Sequence, residues 1–255
     1  MIIIGNNPVD ASTISAEFPR GSVESTIIKI LSESTQKYQY DSINELKFEL
    51  QLRKEIINAA NALYGSRLAF QIFRKSTCNP AFWNRTVDGG FELKSGVNPS
   101  DAINDIFINS SMYGTECATA LMIVYYKAIL TVYGEQLFNK QFQTIHLMNW
   151  HKLDKLLREI GAMDKEKDYL PGDRRYFKNP DVDPLTPEWQ GENVIDMNHE
   201  VYYGHGLGKH DAQAIIAALN ENRKDGADES AYLMDSAGRP HFKNLYNIYQ
   251  SAGAL

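Results

Sequence analysis

Apolar positions first fall into a clear helical rhythm at Ile43, Leu46, Leu50, Ile57, Ala60 and Leu63. Ser42 and Glu45 precede them in the pattern of a capping box, and Gly65 follows, which predicts one amphipathic helix. Asn98 and Pro99 open a second helix carrying Ala102, Ile103 and Ile106. A third run, Cys117 to Tyr133, is apolar on every face, with Thr115 expected as its N-cap and Gly134 as its stop. It reads as a buried central helix. Gln143 to Trp150 reads as a strand, and Asn193–Met197 and Glu200–Gly204 read as two strands joined by a two-residue loop, Asn198 and His199.

Other stretches lack such rhythm. Residues 1–40 are polar apart from Ile27, Ile28, Ile30 and Leu31, so a loosely structured N-terminal segment with one short helix is expected there. The stretch from Pro171 to Pro187 holds four of the nine prolines and reads as a loop. No internal repeat or low-complexity tract is evident.

Composition narrows the class. The 255 residues are 43% hydrophobic, enough for one core, and a single domain over residues 1–255 is expected. A net charge of −6 without a Lys/Arg cluster argues against nucleic acid as a partner. Met1 to Ile4 run straight into Gly5, Asn6, Asn7 and Pro8, which gives no signal peptide. The apolar run at Cys117 carries Lys127 and looks too short and interrupted to span a membrane. Two cysteines, Cys78 and Cys117, suit free thiols in a reducing compartment.

Chemistry enters through Cys117. At a helix N-terminus, unpaired N–H groups and the positive end of the dipole favour an anion, so a thiol there ionises more readily. Read from that helix alone, Cys117 fits a small buried hydrophobe as well as a nucleophile. A two-residue hairpin loop pairs 197 with 200 and, counted outward, sets Glu192 directly opposite His205. The pair can be a cross-strand ion pair or an acid–base couple. His199, His205 and His210 match no standard ligand spacing, so no metal is expected. Gly204-His205-Gly206-Leu207-Gly208 lacks the ending of a phosphate loop. A Cys opening a central helix, with His and carboxylate delivered by a sheet, is the nucleophile, base and orienter arrangement of papain-like enzymes. Glu116, beside the nucleophile, can accept its proton or raise its pKa, which leaves the base open among Glu192, His205 and Glu116.

Several separated segments together resemble one family. Thr115-Glu116-Cys117-Ala118-Thr119-Ala120 with Tyr125-Tyr126, then Tyr176-Phe177-Lys178-Asn179-Pro180, Asp183-Pro184, Trp189, Gly191-Glu192-Asn193-Val194-Ile195 and His205-Gly206-Leu207-Gly208 are similar, in order and spacing, to the protein-glutamine gamma-glutamyltransferases (transglutaminases) of bacterial spore coats. Phe48-Glu49-Leu50, Leu52-Arg53 and Ser230-Ala231-Tyr232-Leu233 extend the likeness over residues 40–250. Residues 1–38, the stretch 152–173 and Gln190 depart from it, which bears on substrate preference more than on chemistry.

The resemblance implies an α+β fold with a papain-like or NlpC/P60-like core, the Cys helix packed on an antiparallel sheet with additional helices. It implies calcium-independent acyl transfer without a cofactor, in which Cys117 takes the acyl group of a protein glutamine as a thioester and a protein lysine resolves it into an isopeptide cross-link. Cys117 is then the nucleophile, Glu192 a general acid/base, His205 an orienting partner and Glu116 a possible substitute base. Trp150 and Trp189 are expected as aromatic walls of a substrate passage that excludes water. Spore-coat proteins bearing glutamine and lysine are the implied substrates of a monomer made in the mother-cell cytoplasm and assembled onto the spore coat. A thiol amidase or peptidase on the same core, or an inert coat scaffold, is the alternative.

Overall fold

The helix that begins at Cys117 is the axis of the fold, because its sequence offers no polar face to water. The computed structural model describes residues 1–253. Residues 1–40, expected to be loose, are instead ordered. Strand β1 (Ile2–Ile4) pairs antiparallel with β2 (Asn7–Pro8) and parallel with β3 (Tyr38–Tyr40), and helices α1 (Ala11–Ser15) and α2 (Val23–Glu33) lie between them. Ile2, Ile14, Ile27, Ile28 and Leu31 pack with Leu46 and Leu50 into a small second core. Their apolar residues are divided among short elements, too short to display a period.

Helix α3 (Ile43–Tyr64) starts as its sequence predicts. The Ser42 hydroxyl accepts from the Glu45 N–H at 3.2 Å, while Glu45 reaches back to the N–H of Asp41 at 2.6 Å. After β4 (Ala69–Phe70), β5 (Trp83–Arg85) and β6 (Phe91–Leu93), helix α4 (Pro99–Ile108) follows its Asn98 cap, and β7 (Gly114–Thr115) leads into α5 (Cys117–Gln141). Thr115 is in β7, so the N-cap of α5 is Glu116. Gly134, with φ 71° and ψ 163°, breaks the helix where the stop was predicted, but helix resumes at once. By length and apolar composition alone, α5 is long enough to cross a membrane, contrary to expectation; most of it is covered by the rest of the protein. Helices α3 and α4 pack along it, joined by Phe48, Leu52, Ile56, Ile103 and Ile106.

The second half supplies the sheet. Only β8 (His146–Leu147) of the expected 143–150 strand forms, pairing with β6, and α6 (Arg158–Gly161) follows. The expected loop from 171 to 187 contains β9 (Arg174–Lys178). With β10 (Gly191–Asp196), β11 (Val201–Gly204), β12 (Gly208–Asp211) and β13 (Tyr232–Leu233), it forms an antiparallel sheet of order β12-β11-β10-β9-β13. Helices α7 (Ala212–Asn220) and α8 (Phe242–Ser251) complete the chain order, and α5 packs against β10.

The β10–β11 hairpin departs from the predicted register by one residue. Asn198, His199 and Glu200 all have positive φ (79°, 53° and 61°), and the Met197 N–H donates to the Val201 carbonyl at 2.8 Å. The tip is therefore three residues, and Ile195 faces Tyr203. Glu192 is not opposite His205, which instead lies in the turn joining β11 to β12, where Gly204 pairs with Gly208.

Candidate active site

Cys117 occupies the first turn of α5, half-buried on the floor of a cavity of about 650 Å³. The helix N-terminus does not simply await its thiolate. The Glu116 carboxylate accepts from the N–H groups of Ala118 at 2.6 Å and Thr119 at 2.7 Å, so it takes the capping position and the favourable dipole field. Burial, then the charges of Glu192 and Glu116, push the Cys117 thiol well above its ordinary pKa. These surroundings favour the protonated thiol over the thiolate.

Glu192 comes from β10 and is 6% exposed. It lies against Gly204 of the neighbouring strand, where a Cβ would come within 2.5 Å of Oε1 and 2.8 Å of Cγ, so only glycine leaves room for this carboxyl. Oε1 has no hydrogen-bond partner among the described residues. Burial and then the Glu116 charge raise Glu192 well above the carboxylate range, while interaction with Cys117 favours its ionised form. A carboxyl whose proton affinity is raised in this way can serve as an acid or a base.

His205 is buried but engages other groups. Nε2 is 3.2 Å from the Ala69 carbonyl and Nδ1 is 3.4 Å from the Tyr203 hydroxyl. A carbonyl can only accept, so Nε2 carries the proton and, in the neutral ring, Nδ1 accepts from Tyr203. Burial lowers the pKa of His205, with backbone groups of Ala69 and Thr115 pulling the other way. The ring thus links the turn after β11 to β4 and β7, the strands leading to Cys117. The predicted pairing of Glu192 with His205 is replaced by two separate supports.

The sequence reading passed over Asn193 and Arg174. The Asn193 Nδ2 donates to Cys117 Sγ at 3.5 Å, while its Oδ1 accepts from Trp150 Nε1 at 3.2 Å and Arg174 Nε at 2.9 Å. Arg174 also donates to the Ile160 and Gly161 carbonyls, and its guanidinium carbon stands 3.9 Å from the centre of the Trp150 ring. The available signal was adjacency, since Asn193 follows Glu192 and pairs with Tyr176 across the ladder from β9.

Trp150 lines the cavity, together with Phe70, Phe73, Tyr176, Arg174 and Asn193. Trp189 does not. It packs, partly buried, with Phe177, Val194, Ile215 and Leu219, while Pro187, Glu188 and Gln190 around it reach the cavity instead. A single aromatic residue in a one-turn helix has no periodicity to show which way it faces, which is why its inward packing could not be read from the sequence. Among the described residues, no group of three His, Cys, Asp or Glu side chains is disposed to hold a metal ion.

The chain as a whole is similar to known proteins. The family model for protein-glutamine gamma-glutamyltransferase matches residues 1–249. Enzymes of that name from Bacillus cereus and Bacillus anthracis are 43% and 42% identical over 241 residues, covering 94% of this chain and 86% of each relative. The structure of a transglutaminase from Geobacillus stearothermophilus, without its C-terminal extension, superposes with a TM-score of 0.77 at 48% identity, covering 81% of this chain and 98% of that one. With this continuous match added to a cysteine-centred cavity on a mixed helix-and-sheet fold, the chain belongs to the protein-glutamine gamma-glutamyltransferase family, a family of acyltransferases.

Proposed function

We propose that the enzyme cross-links proteins through a Cys117 thioester without calcium, and that its substrates are glutamine- and lysine-bearing proteins of the spore coat. The observation carrying this reading is the Cys117 thiol on a cavity floor with the Glu192 carboxyl and the Asn193 amide beside it. Glu192 in its ionised form takes the thiol proton. Sγ then attacks the carboxamide carbon of glutamine, the C–S bond forms, the C–N bond breaks, and the proton returned by Glu192 leaves with ammonia. A lysine amine attacks the thioester next, its C–N bond forms as C–S breaks, and its surplus proton passes through Glu192 back to sulfur.

Apolar and aromatic walls at Phe70, Phe73 and Trp150 support preference for an amine over water. The start of α5 packed on β10 supports a papain-like core. A complete reactive group within one chain supports action as a monomer. Spore-coat substrates, calcium independence, synthesis in the mother-cell cytoplasm and assembly onto the coat rest on the family resemblance of the motifs.

The test is mass spectrometry on a glutamine-rich protein incubated with the enzyme, a primary amine and a calcium chelator, beside a Cys117→Ala control. Amine adducts on glutamine that disappear in the control are expected. Adducts that persist in the control would end the nucleophile assignment, and deamidation alone despite abundant amine would replace transfer with hydrolysis.

A further inference from the structure

Arg174 is a buried cation, 5% exposed, that forms no ion pair with an Asp or Glu among the described residues. Its partners are the Asn193 amide oxygen, the carbonyls of Ile160 and Gly161 and the face of Trp150. By contrast, the buried Arg53 is matched by Glu49 and Asp173. Keeping a guanidinium out of water without an anion is costly, so its placement beside the reacting cysteine calls for a reason. Burial brings the pKa of Arg174 down to about 10, which still leaves it charged at neutral pH. Arg175 is also served by carbonyls and a ring, but strand alternation turns it to the other face of β9, away from the cavity.

The three hydrogen bonds of Asn193 fix its amide in one sense. Trp150 Nε1 and the Arg174 guanidinium are donors only, so the atom they meet is the carbonyl oxygen, and the NH₂ group is left facing sulfur. A flipped amide would set its NH₂ against two donors and its oxygen against a thiolate. We propose that Asn193 is a catalytic residue whose side-chain amide stabilises the Cys117 thiolate, and that Arg174 is a positioning residue that holds this amide and supplies the balancing positive charge. The inference deepens the thioester reading and rests on Cys117 being the nucleophile.

The charges around sulfur make this donor necessary. Glu116 at the cap and Glu192 on β10 both oppose a thiolate, and Tyr176 on β9 and Tyr125 on α5 contribute no positive charge. Asn193 favours the anion through its side chain and its backbone. A cation at the oxygen end of an amide polarises its N–H bonds, so Arg174 strengthens the donor it orients. When the thiol proton passes to Glu192, the site exchanges one negative centre for another, and the new one is the sulfur that faces the Asn193 NH₂ group at 3.5 Å.

The test compares wild type with Asn193→Asp, Asn193→Ala, Arg174→Gln and Arg174→Lys in the full chain. Three readouts are needed: the pH dependence of iodoacetamide labelling at Cys117, located by peptide mass spectrometry; kcat and KM for amine incorporation; and thermal unfolding. Asn193→Asp is the discriminating change. It keeps an oxygen for both Trp150 and Arg174 and gives Arg174 a carboxylate, so a residue with a merely structural role would tolerate it. The proposal requires the opposite: intact folding, a kcat loss of about 100-fold or more, little change in KM, and labelling displaced to higher pH. Asn193→Ala and Arg174→Gln should move labelling the same way by less, and Arg174→Lys should recover part of the Arg174→Gln loss. If Asn193→Asp unfolds, the Asn193→Ala and Arg174→Gln curves decide. Wild-type kcat and labelling in the folded variants would overturn the proposal, as would a kcat loss with an unmoved labelling curve. Failure of the underlying reading is separable, because it shows as amine incorporation persisting in Cys117→Ala.

Discussion

Replacing Glu192 by Gln should make the protein inactive and, at neutral pH, more stable. The side chain keeps its shape, so the room over Gly204 is unchanged, and the unpartnered buried atom persists in both proteins. What is lost is an ionisable group whose folded-state pKa is raised by burial and by Glu116. In the unfolded chain a glutamate titrates near about 4.3. The sign follows from linkage: a carboxyl with raised folded pKa contributes stability below the unfolded value, and that contribution drains away as pH rises toward the folded value. Each tenfold difference in proton affinity between the two states is worth about 1.4 kcal/mol. For a chain of this size, 1 kcal/mol moves Tm by about 2–4 °C, so every tenfold amounts to about 3–6 °C. The assay is thermal unfolding of both proteins from about pH 4 to about pH 8, alongside amine incorporation. The difference in Tm, variant minus wild type, should be constant at the acid end and grow from about pH 4.3 upward. A difference that stays flat across the range would refute the assignment of Glu192 as a carboxyl held neutral by burial, whatever its absolute size.

Three further outcomes are expected. Gly204→Ala puts a Cβ 2.5 Å from Glu192 Oε1, so kcat should fall at least about tenfold with a stability loss of about 1–3 kcal/mol, read by kinetics and calorimetry. Glu116→Gln keeps an oxygen for the cap but removes its charge, so Cys117 should be alkylated faster at neutral pH while stability drops by about 0.5–1 kcal/mol; slower alkylation would mark Glu116 as the base for the thiol. His205→Ala removes the buried ring that bonds the Ala69 carbonyl and the Tyr203 hydroxyl and should cost about 1–3 kcal/mol, measured by denaturant unfolding, with His205→Gln recovering part of it. Because burial lowers the pKa of His205, its contribution is full above about pH 6.5 and lost as pH falls below that value.

Features governed by near neighbours were legible in the sequence. Ser42 with Glu45, Asn98 before Pro99, and the all-apolar run after Cys117 act within a turn or two of chain, and each produced its element. The hairpin failed at one point, because nothing local announced three consecutive left-handed residues at Asn198, His199 and Glu200, and a single extra residue moves every partner. Strand β9 was obscured by the four prolines of the stretch from Pro171 to Pro187; its Arg174 and Arg175 are buried because Trp150, Tyr169 and several carbonyls, distant in sequence, receive them. The site divided likewise. Cys117 and Glu192 came from local pattern and resemblance, whereas Asn193 gains its meaning from a triangle with Arg174 and Trp150 that only tertiary packing draws.

Cys117 and the cavity rim belong to parts of the molecule with different burial. Cys117 is carried by the helix that runs through the largest core, and buried helices of that kind open at a higher free energy than surface segments. The rim is drawn from Phe70 to Arg74 and from Pro187 to Gln190, short segments with exposed side chains that local fluctuation can release. On the proposed function, the sulfur keeps its place while the rim is free to adjust to differently shaped protein surfaces. Changes accumulating in those two rim segments can redirect which proteins are joined, and at what rate, while the machinery that joins them stays as it is.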